Sequence, residues 1–232
     1  MTQSPTTPPS KSPQSFASRQ GRITRGQRRA LQELLPRYRI PDEPRCLDWA
    51  AVFGRDAPVA MEIGFGSGEA LMGLARRYPN WDWVGVEVYP PGIGKLLLAL
   101  EPEPLANVGV ADSDAVELLA ERTPAASLDA VYILFPDPWP KARHHKRRLI
   151  QKPFLDQLAT AMRSQADLFL ATDWPDYAEW IQAELEAHPS FSNVHGAGCW
   201  APRCPDRPRT RFEERGETKG HPVFDLHYRR IG

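Results

Sequence analysis

The chain has 232 residues, 29 basic and 29 acidic side chains, 24 prolines and three cysteines. That length suits one well-buried α/β domain with extensions, not two full domains. With no run of about 18 apolar residues, no apolar signal-peptide core and no Cys-x-x-Cys pair, the composition gives no support to a membrane protein, a disulfide framework or a zinc site. The expectation is a cytoplasmic protein without metal, in which Cys46, Cys199 and Cys204 are reduced structural thiols.

Residues 1–18, rich in Ser, Thr, Pro and Gln, have little to bury and are expected to be a disordered tail. A basic helical extension is expected over 19–55. Within it, residues 26–38 carry Leu31, Leu34 and Leu35 at helical spacing, with Arg28, Arg29 and Arg37 mostly off that stripe. From residue 56 to the end, strands and helices alternate. Strands are predicted at 59–64, 83–87, 108–110, 128–135 and 167–172, and helices at 68–77, 93–100, 115–120, 154–163 and 177–187. Two short strands, 191–195 and 223–228, follow on either side of a polar, Pro- and Arg-rich stretch. Near-continuous apolar runs such as Ala-Val-Tyr-Ile-Leu-Phe at 130–135 require a sheet covered on both faces. The fold class is therefore α/β: a doubly wound, Rossmann-like, mostly parallel seven-stranded sheet with a C-terminal antiparallel hairpin.

The first strand runs into Met-Glu-Ile-Gly-Phe-Gly-Ser-Gly at residues 61–68. Gly64, Gly66 and Gly68 can adopt positive φ and let backbone N–H groups approach a ligand at a helix N-terminus. Their spacing is Gly-x-Gly-x-Gly, not the dinucleotide-binding Gly-x-Gly-x-x-Gly, which favours S-adenosylmethionine over a nicotinamide cofactor. Glu87 closes the second strand, where a carboxylate can bind the hydroxyls of an adenosine ribose. Asp114 follows the third and can face the adenine, although Asp112 and Asp114 are also good helix N-caps. Asp137 and Asp173 fall at the carboxyl ends of the fourth and fifth strands, so the acids gather on the rim where such sheets bind ligands.

Net charge is zero, but its distribution is uneven. Residues 1–39 hold eight Lys or Arg against one acid, whereas 56–137 hold thirteen acids against four bases, a bias suited to a cationic sulfonium. Residues 135–139, Phe-Pro-Asp-Pro-Trp, hold Asp137 between two prolines that keep the backbone extended or turned. Trp139 is placed to stack on a base. The chain then continues directly into Lys-Ala-Arg-His-His-Lys-Arg-Arg at 141–148, five formal positive charges in eight residues. An acid and an aromatic beside a cationic run suggest a base presented by a nucleic acid whose phosphates are held next door.

These segments, together with Gly-Val-Glu-Val-Tyr-Pro-Pro-Gly-Ile-Gly at 85–94 and Thr-Arg-Phe-Glu at 210–213, resemble the bacterial tRNA (guanine-N7)-methyltransferases over about residues 21–230. The resemblance implies methyl transfer from S-adenosylmethionine to N7 of guanosine 46 in the tRNA variable loop, with S-adenosylhomocysteine as product. Position by position, Glu62, Glu87, Asp114 and Asp137 match the family's cofactor-contacting acids, and Asp137 also its catalytic residue. Lys141, Asp173, Thr210, Arg211, Phe212 and Glu213 match its substrate-binding positions. Arg143, His144, His145, Lys146, Arg147 and Arg148 match its RNA-contacting stretch. Pro140 stands where many members have His. The expected partner is tRNA, with no membrane and no obligate protein partner. Two alternatives stay open at this level: an amine methyltransferase acting on DNA or RNA bases, whose loop resembles Asp-Pro-Pro-Tyr, and a non-catalytic RNA-binding module with a retired cofactor pocket.

Overall fold

The computed structural model describes residues 21–42, 46–209, 213, 218, 220 and 222–232. The disordered tail expected at 1–18 and the candidate residues Thr210, Arg211 and Phe212 lie outside the described residues.

Seven strands form one sheet: β1 (Val59–Ile63), β2 (Asp82–Val86), β3 (Val108–Ala111), β4 (Leu128–Leu134), β5 (Met162–Thr172), β6 (Phe191–Asn193) and β7 (Phe224–Arg230). Their spatial order is β3-β2-β1-β4-β5-β7-β6. The first five are parallel neighbours, while β7 is antiparallel to both β5 and β6. The terminal pair is thus a hairpin whose second strand lies inside its first.

Alternation along the strands sorts the core into two layers. Val59, Met61 and Ile63 of β1, with Val131 and Ile133 of β4, pack on the face covered by α6 (Ala115–Glu121), α7 (Lys152–Ala161) and α8 (Pro175–Glu186), joined by α3 (Trp49–Phe53). Ala60, Ala130, Tyr132 and Leu134 face the opposite layer, built from α1 (Arg25–Glu33), α2 (Leu35–Tyr38), α4 (Glu69–Arg77) and α5 (Pro90–Leu100). This double cover is why the strands read as continuously apolar. Each fully buried Leu of these layers contributes on the order of 2 kcal/mol of transfer free energy.

Several sequence boundaries move. The basic helix over 26–38 is two helices, because Pro36 has no N–H to continue the first and the chain restarts at Leu35. Its true start is marked by a capping box, Thr24 with Gln27, in which each side chain accepts from the other's backbone N–H at 3.2 and 2.9 Å. Helix α7 ends at Ala161 instead of residue 163, and β5 starts at once. Its extra residues form a bulge against Leu128–Ala130, with Gln165 at φ 68°.

Backbone pairing extends just past the carboxyl ends of the strands. Gly64 donates to Val86, Glu87 to Ala111 and Phe135 to Ala171, at 2.8, 3.0 and 2.7 Å. The order reverses between β1 and β4, so the segments leaving those two strands diverge and open the crevice in which such sheets bind ligands.

Candidate active site

A cavity of about 510 Å³ occupies that crevice, within the range of roughly 300–1,000 Å³ usual for small-molecule sites. Glu62 lines it from β1, Gly64 and Gly66 from the turn that follows, Glu87 from just past β2, Ser113 and Asp114 after β3, and Phe135 and Asp137 after β4. Gly64, Gly66 and Gly68 all have positive φ, at 74°, 57° and 78°. Gly64 has open space where a side chain would stand, so its backbone is bare to the cavity. Gly68 does not line the cavity; it caps α4, and a Cβ there would meet Leu96 at 2.6 Å.

The Glu87 carboxylate holds the glycine turn in place. One oxygen accepts the Gly66 N–H at 2.9 Å; the other accepts Val88 and Tyr89 N–H at 2.8 and 3.0 Å. Burial raises its pKa, these three donors oppose the rise, and nearby Asp137 adds to it. Asp114 caps α6 through a 2.9 Å bond from Val116 N–H and also lines the cavity. Asp112 instead pairs with Arg39 at 2.6 Å.

Glu62 is the most perturbed acid. It is 3% exposed, and burial first, then the fields of Glu87 and Glu69, push its pKa up to about 8. Its Oε2 and the Ser113 Oγ have no hydrogen-bond partner among the described residues. Buried acceptors of this kind call for donors. Five acids and two bases line the cavity, so its field favours a cation. Bare glycine backbone, an acid closing β2, orphaned acceptors and net negative lining together fit S-adenosylmethionine, whose ammonium and hydroxyls are donors and whose sulfonium is a cation.

Outside the cavity, Asp173 is half-buried just past the end of β5, and Lys141 is exposed at the start of a 3-10 turn, Ala142–Arg147. Arg143 and Lys146 are exposed, while His144, His145 and Arg147 are half-buried. Arg147 lies over the Trp139 ring, 3.8 Å from its centroid, and His144 meets the same ring edge-on. Partial desolvation and then the surrounding cations lower the His144 pKa.

Besides Gly68, two candidates are placed differently from the sequence expectation. Arg148, grouped there with the RNA-contacting cations, is 2% exposed and turned inward. A run of cations reads as one surface, but a 3-10 turn cannot point every side chain outward. Glu213, grouped there with the substrate-binding positions, is 1% exposed and paired with Arg203 at 2.6 Å and Arg207 at 2.8 Å. Burial opposes its ionisation, but the two guanidiniums outweigh it and lower its pKa. Arg207 also bonds Asp225 of β7 at 3.1 Å, so Glu213 is tied to the sheet.

Sequence reasoning missed several residues of the site. Arg22, Thr24 and Gln27 line the cavity from the N-terminal segment, and the Thr-x-x-Gln capping signature was the one cue that this segment is ordered. Gly92 lets α5 approach so closely that a Cβ there would stand 2.3 Å from the Gly66 carbonyl oxygen.

A Rossmann-like sheet with a glycine turn after β1, an acid at the end of β2 and an acidic cavity at the β1/β4 crevice defines an S-adenosylmethionine-dependent methyltransferase. Residues 56–226 match the family model described as "Putative methyltransferase". The tRNA (guanine-N(7)-)-methyltransferase of Halorhodospira halophila is 50% identical, covering 92% of this chain and 93% of the relative. That of Nitrosococcus oceani is 49% identical, covering 93% and 90%. The chain belongs to the tRNA (guanine-N7-)-methyltransferase family. Among solved structures, the 16S rRNA methyltransferase KamB shares the fold with TM-score 0.57 at 15% identity, over 79% of this chain and 93% of that one. A variant of the 16S rRNA (adenine(1408)-N(1))-methyltransferase from Catenulisporales acidiphilia does so with TM-score 0.52 at 17% identity, over 80% and 92%.

Proposed function

We propose that this protein methylates N7 of a guanosine in tRNA, guanosine 46 of the variable loop, with Asp137 as its catalytic residue. The observation that carries the assignment is that Asp137, held between two prolines, lines the same cavity as the glycine turn while its chain runs on into the exposed cations Lys141, Arg143 and Lys146. The relatives at 49–50% identity support a tRNA guanine over an exocyclic amine, and the intact set of acids in the cavity supports an enzyme over a retired binding module.

In this reading Glu62, Gly64, Gly66, Glu87, Asp114 and Asp137 hold the cofactor, while Gly68 shapes the turn. When bound, S-adenosylmethionine supplies a methyl group on a positively charged sulfur. Guanine N7 has an in-plane lone pair and no proton, so the protein needs no general base; its task is alignment. The purine gains positive charge on methylation, and a fixed carboxylate nearby favours that outcome. At about 4 Å and an effective dielectric of about 20, one such pairing is worth roughly 4 kcal/mol, at most about three decades of rate. Asp137 can also accept from guanine N1–H and N2–H, a donor pair adenine lacks. Lys141, Asp173 and residues 210–213 bind the nucleoside, and Glu213 itself is tied through Arg207 to Asp225 of β7. Arg143, His144, His145, Lys146 and Arg147 face the RNA. Residues 56–232 form the catalytic domain and 19–55 its basic helical extension, from which Arg22, Thr24 and Gln27 line the cofactor cavity, and the work is done in the cytoplasm, where its tRNA substrate is found.

The test is nucleoside mass spectrometry of bulk tRNA after reaction with methyl-labelled cofactor, followed by borohydride-dependent strand scission to locate the modified base. N7-methylguanosine at position 46 is expected. Asp137→Ala should lose transfer while binding tRNA within twofold of wild type. Labelled N6-methyladenine, or an Asp137→Ala variant retaining more than half of the wild-type rate, defeats the assignment.

A further inference from the structure

Asp137 sits in a backbone that is strained on both sides. Phe135 and Trp139, two bulky residues, hold φ of 54° and 46°, in the left-handed region that side chains of this size avoid. Such conformations persist only where surrounding groups over-determine them. Here three arginines do so. Arg207 lies 5.7 Å from the Phe135 ring centroid and Arg147 lies 3.8 Å from that of Trp139. The third, Arg148, holds the backbone itself.

The Nε of Arg148 donates to the Pro138 carbonyl at 3.1 Å. That carbonyl belongs to the peptide joining Pro138 to Trp139, one residue from the Asp137 carboxylate. Behind it, the guanidinium is 5.0 Å from the ring centroid of Tyr177 and 4.9 Å from that of Trp180, with Nη2 donating to Asp176. All three partners are on α8, and the two aromatic rings are fixed in turn: Tyr177 OH accepts the Ile150 N–H at 3.4 Å, and Trp180 Nε1 donates to the Ile150 carbonyl at 2.8 Å. The Arg148 side chain is fully buried. A phosphate cannot reach it without dismantling this stack, and a guanidinium is the side chain that can donate sideways while stacking on aromatic faces.

We propose that Arg148 is a positioning residue for methyl transfer: it locks the Asp137 loop against α8 from inside and makes no contact with RNA. The inference rests on the assignment of Asp137 above and divides the cationic octet into two parts, an outer one that meets phosphate and an inner one that holds the catalytic carboxylate.

The test uses the full-length protein with Arg148→Lys, which keeps the charge but loses the planar fork. Single-turnover transfer to tRNA, tRNA affinity over a salt series, cofactor affinity and the melting temperature are measured beside wild type and Arg143→Gln. Arg148→Lys is expected to slow transfer at least tenfold while tRNA affinity stays within twofold and its salt slope is unchanged. Arg143→Gln is expected to flatten the slope. A transfer rate within twofold of wild type, or a tRNA affinity lowered more than fivefold, overturns the proposal. If Arg148→Lys does not fold, Asp176→Asn decides, since it loosens the guanidinium without removing it. A threefold or greater loss of rate at unchanged tRNA affinity supports the proposal, and an unchanged rate overturns it. Wild type that forms no N7-methylguanosine overturns the functional assignment and this inference together, whereas active wild type with equally active variants overturns this inference alone.

Discussion

Replacing Glu62 by Gln removes a charge that the folded protein resists carrying and that, in the proposed function, the cofactor complex uses. The carboxyl is displaced from an ordinary 4.5 to about 8, chiefly by burial. A raised acid runs opposite to the usual salt-bridged carboxylate: between those two values the native state holds a proton that the unfolded chain has released. Native stability therefore falls as pH rises through that window, by about 1.4 kcal/mol per pH unit and on the order of 5 kcal/mol across it. The amide of the variant mimics the protonated acid, keeps an oxygen for the Leu71 backbone and loses nothing to pH. In urea denaturation followed by tryptophan fluorescence, the stability advantage of Glu62→Gln over wild type should be small at pH 5, grow by several kcal/mol by pH 8.5 and then level off. Binding should show the reverse preference. A cationic cofactor favours the ionised acid, so wild-type affinity should rise between pH 7 and 8.5 with release of a proton, and the variant should bind more weakly at the upper end without that rise. A stability difference that stays constant to within about 1 kcal/mol from pH 5 to 8.5 refutes the reasoning.

Other perturbations separate the parts of the site. Double substitution Arg143→Gln, Lys146→Gln removes two exposed cations and should reduce the slope of log affinity against log salt by up to about two, with the transfer rate at saturating tRNA within a few fold of wild type; an unchanged slope makes these two cations merely solvated. Gly92→Ala drives a methyl group into the Gly66 carbonyl, 2.3 Å away, and should cost about 1–3 kcal/mol of packing. Calorimetry should show it as cofactor affinity reduced at least tenfold, while wild-type affinity would mean that α5 yields easily.

Much of the architecture was legible because its signals are local. Alternation of strands and helices, three glycines at positive φ and acids after successive strands each follow from a few neighbouring residues, and their meeting on one rim follows from the topology of a parallel sheet. The hairpin was legible too, as two short strands after the last helix, but not that its second strand lies inside its first. The break at Pro36 was visible as a proline inside an apolar stripe, yet the stripe continues through it, so periodicity alone joined α1 to α2. Contacts between segments far apart in sequence left no such trace. Nothing near Gly92 says that it will touch Gly66, and nothing near Thr24 says that it will line a cavity formed mainly by residues beyond Glu62.

Charge was the least reliable guide, for a physical reason. A guanidinium reads identically in sequence whether it meets water, phosphate or an aromatic ring, and only burial separates these cases. Arg147 and Arg148 are adjacent, yet one lies over Trp139 and the other is enclosed by Tyr177, Trp180 and the Pro138 carbonyl. Glu213 shows the same ambiguity for acids, since its two arginines make it an internal tie. In both cases the buried ion is bound to a backbone or strand that the site depends on, Arg148 to the loop of Asp137 and Arg207 with Glu213 to Asp225 of β7. Removing one partner of such a buried set strands the other without solvent, so these residues should tolerate substitution less well than the exposed cations beside them.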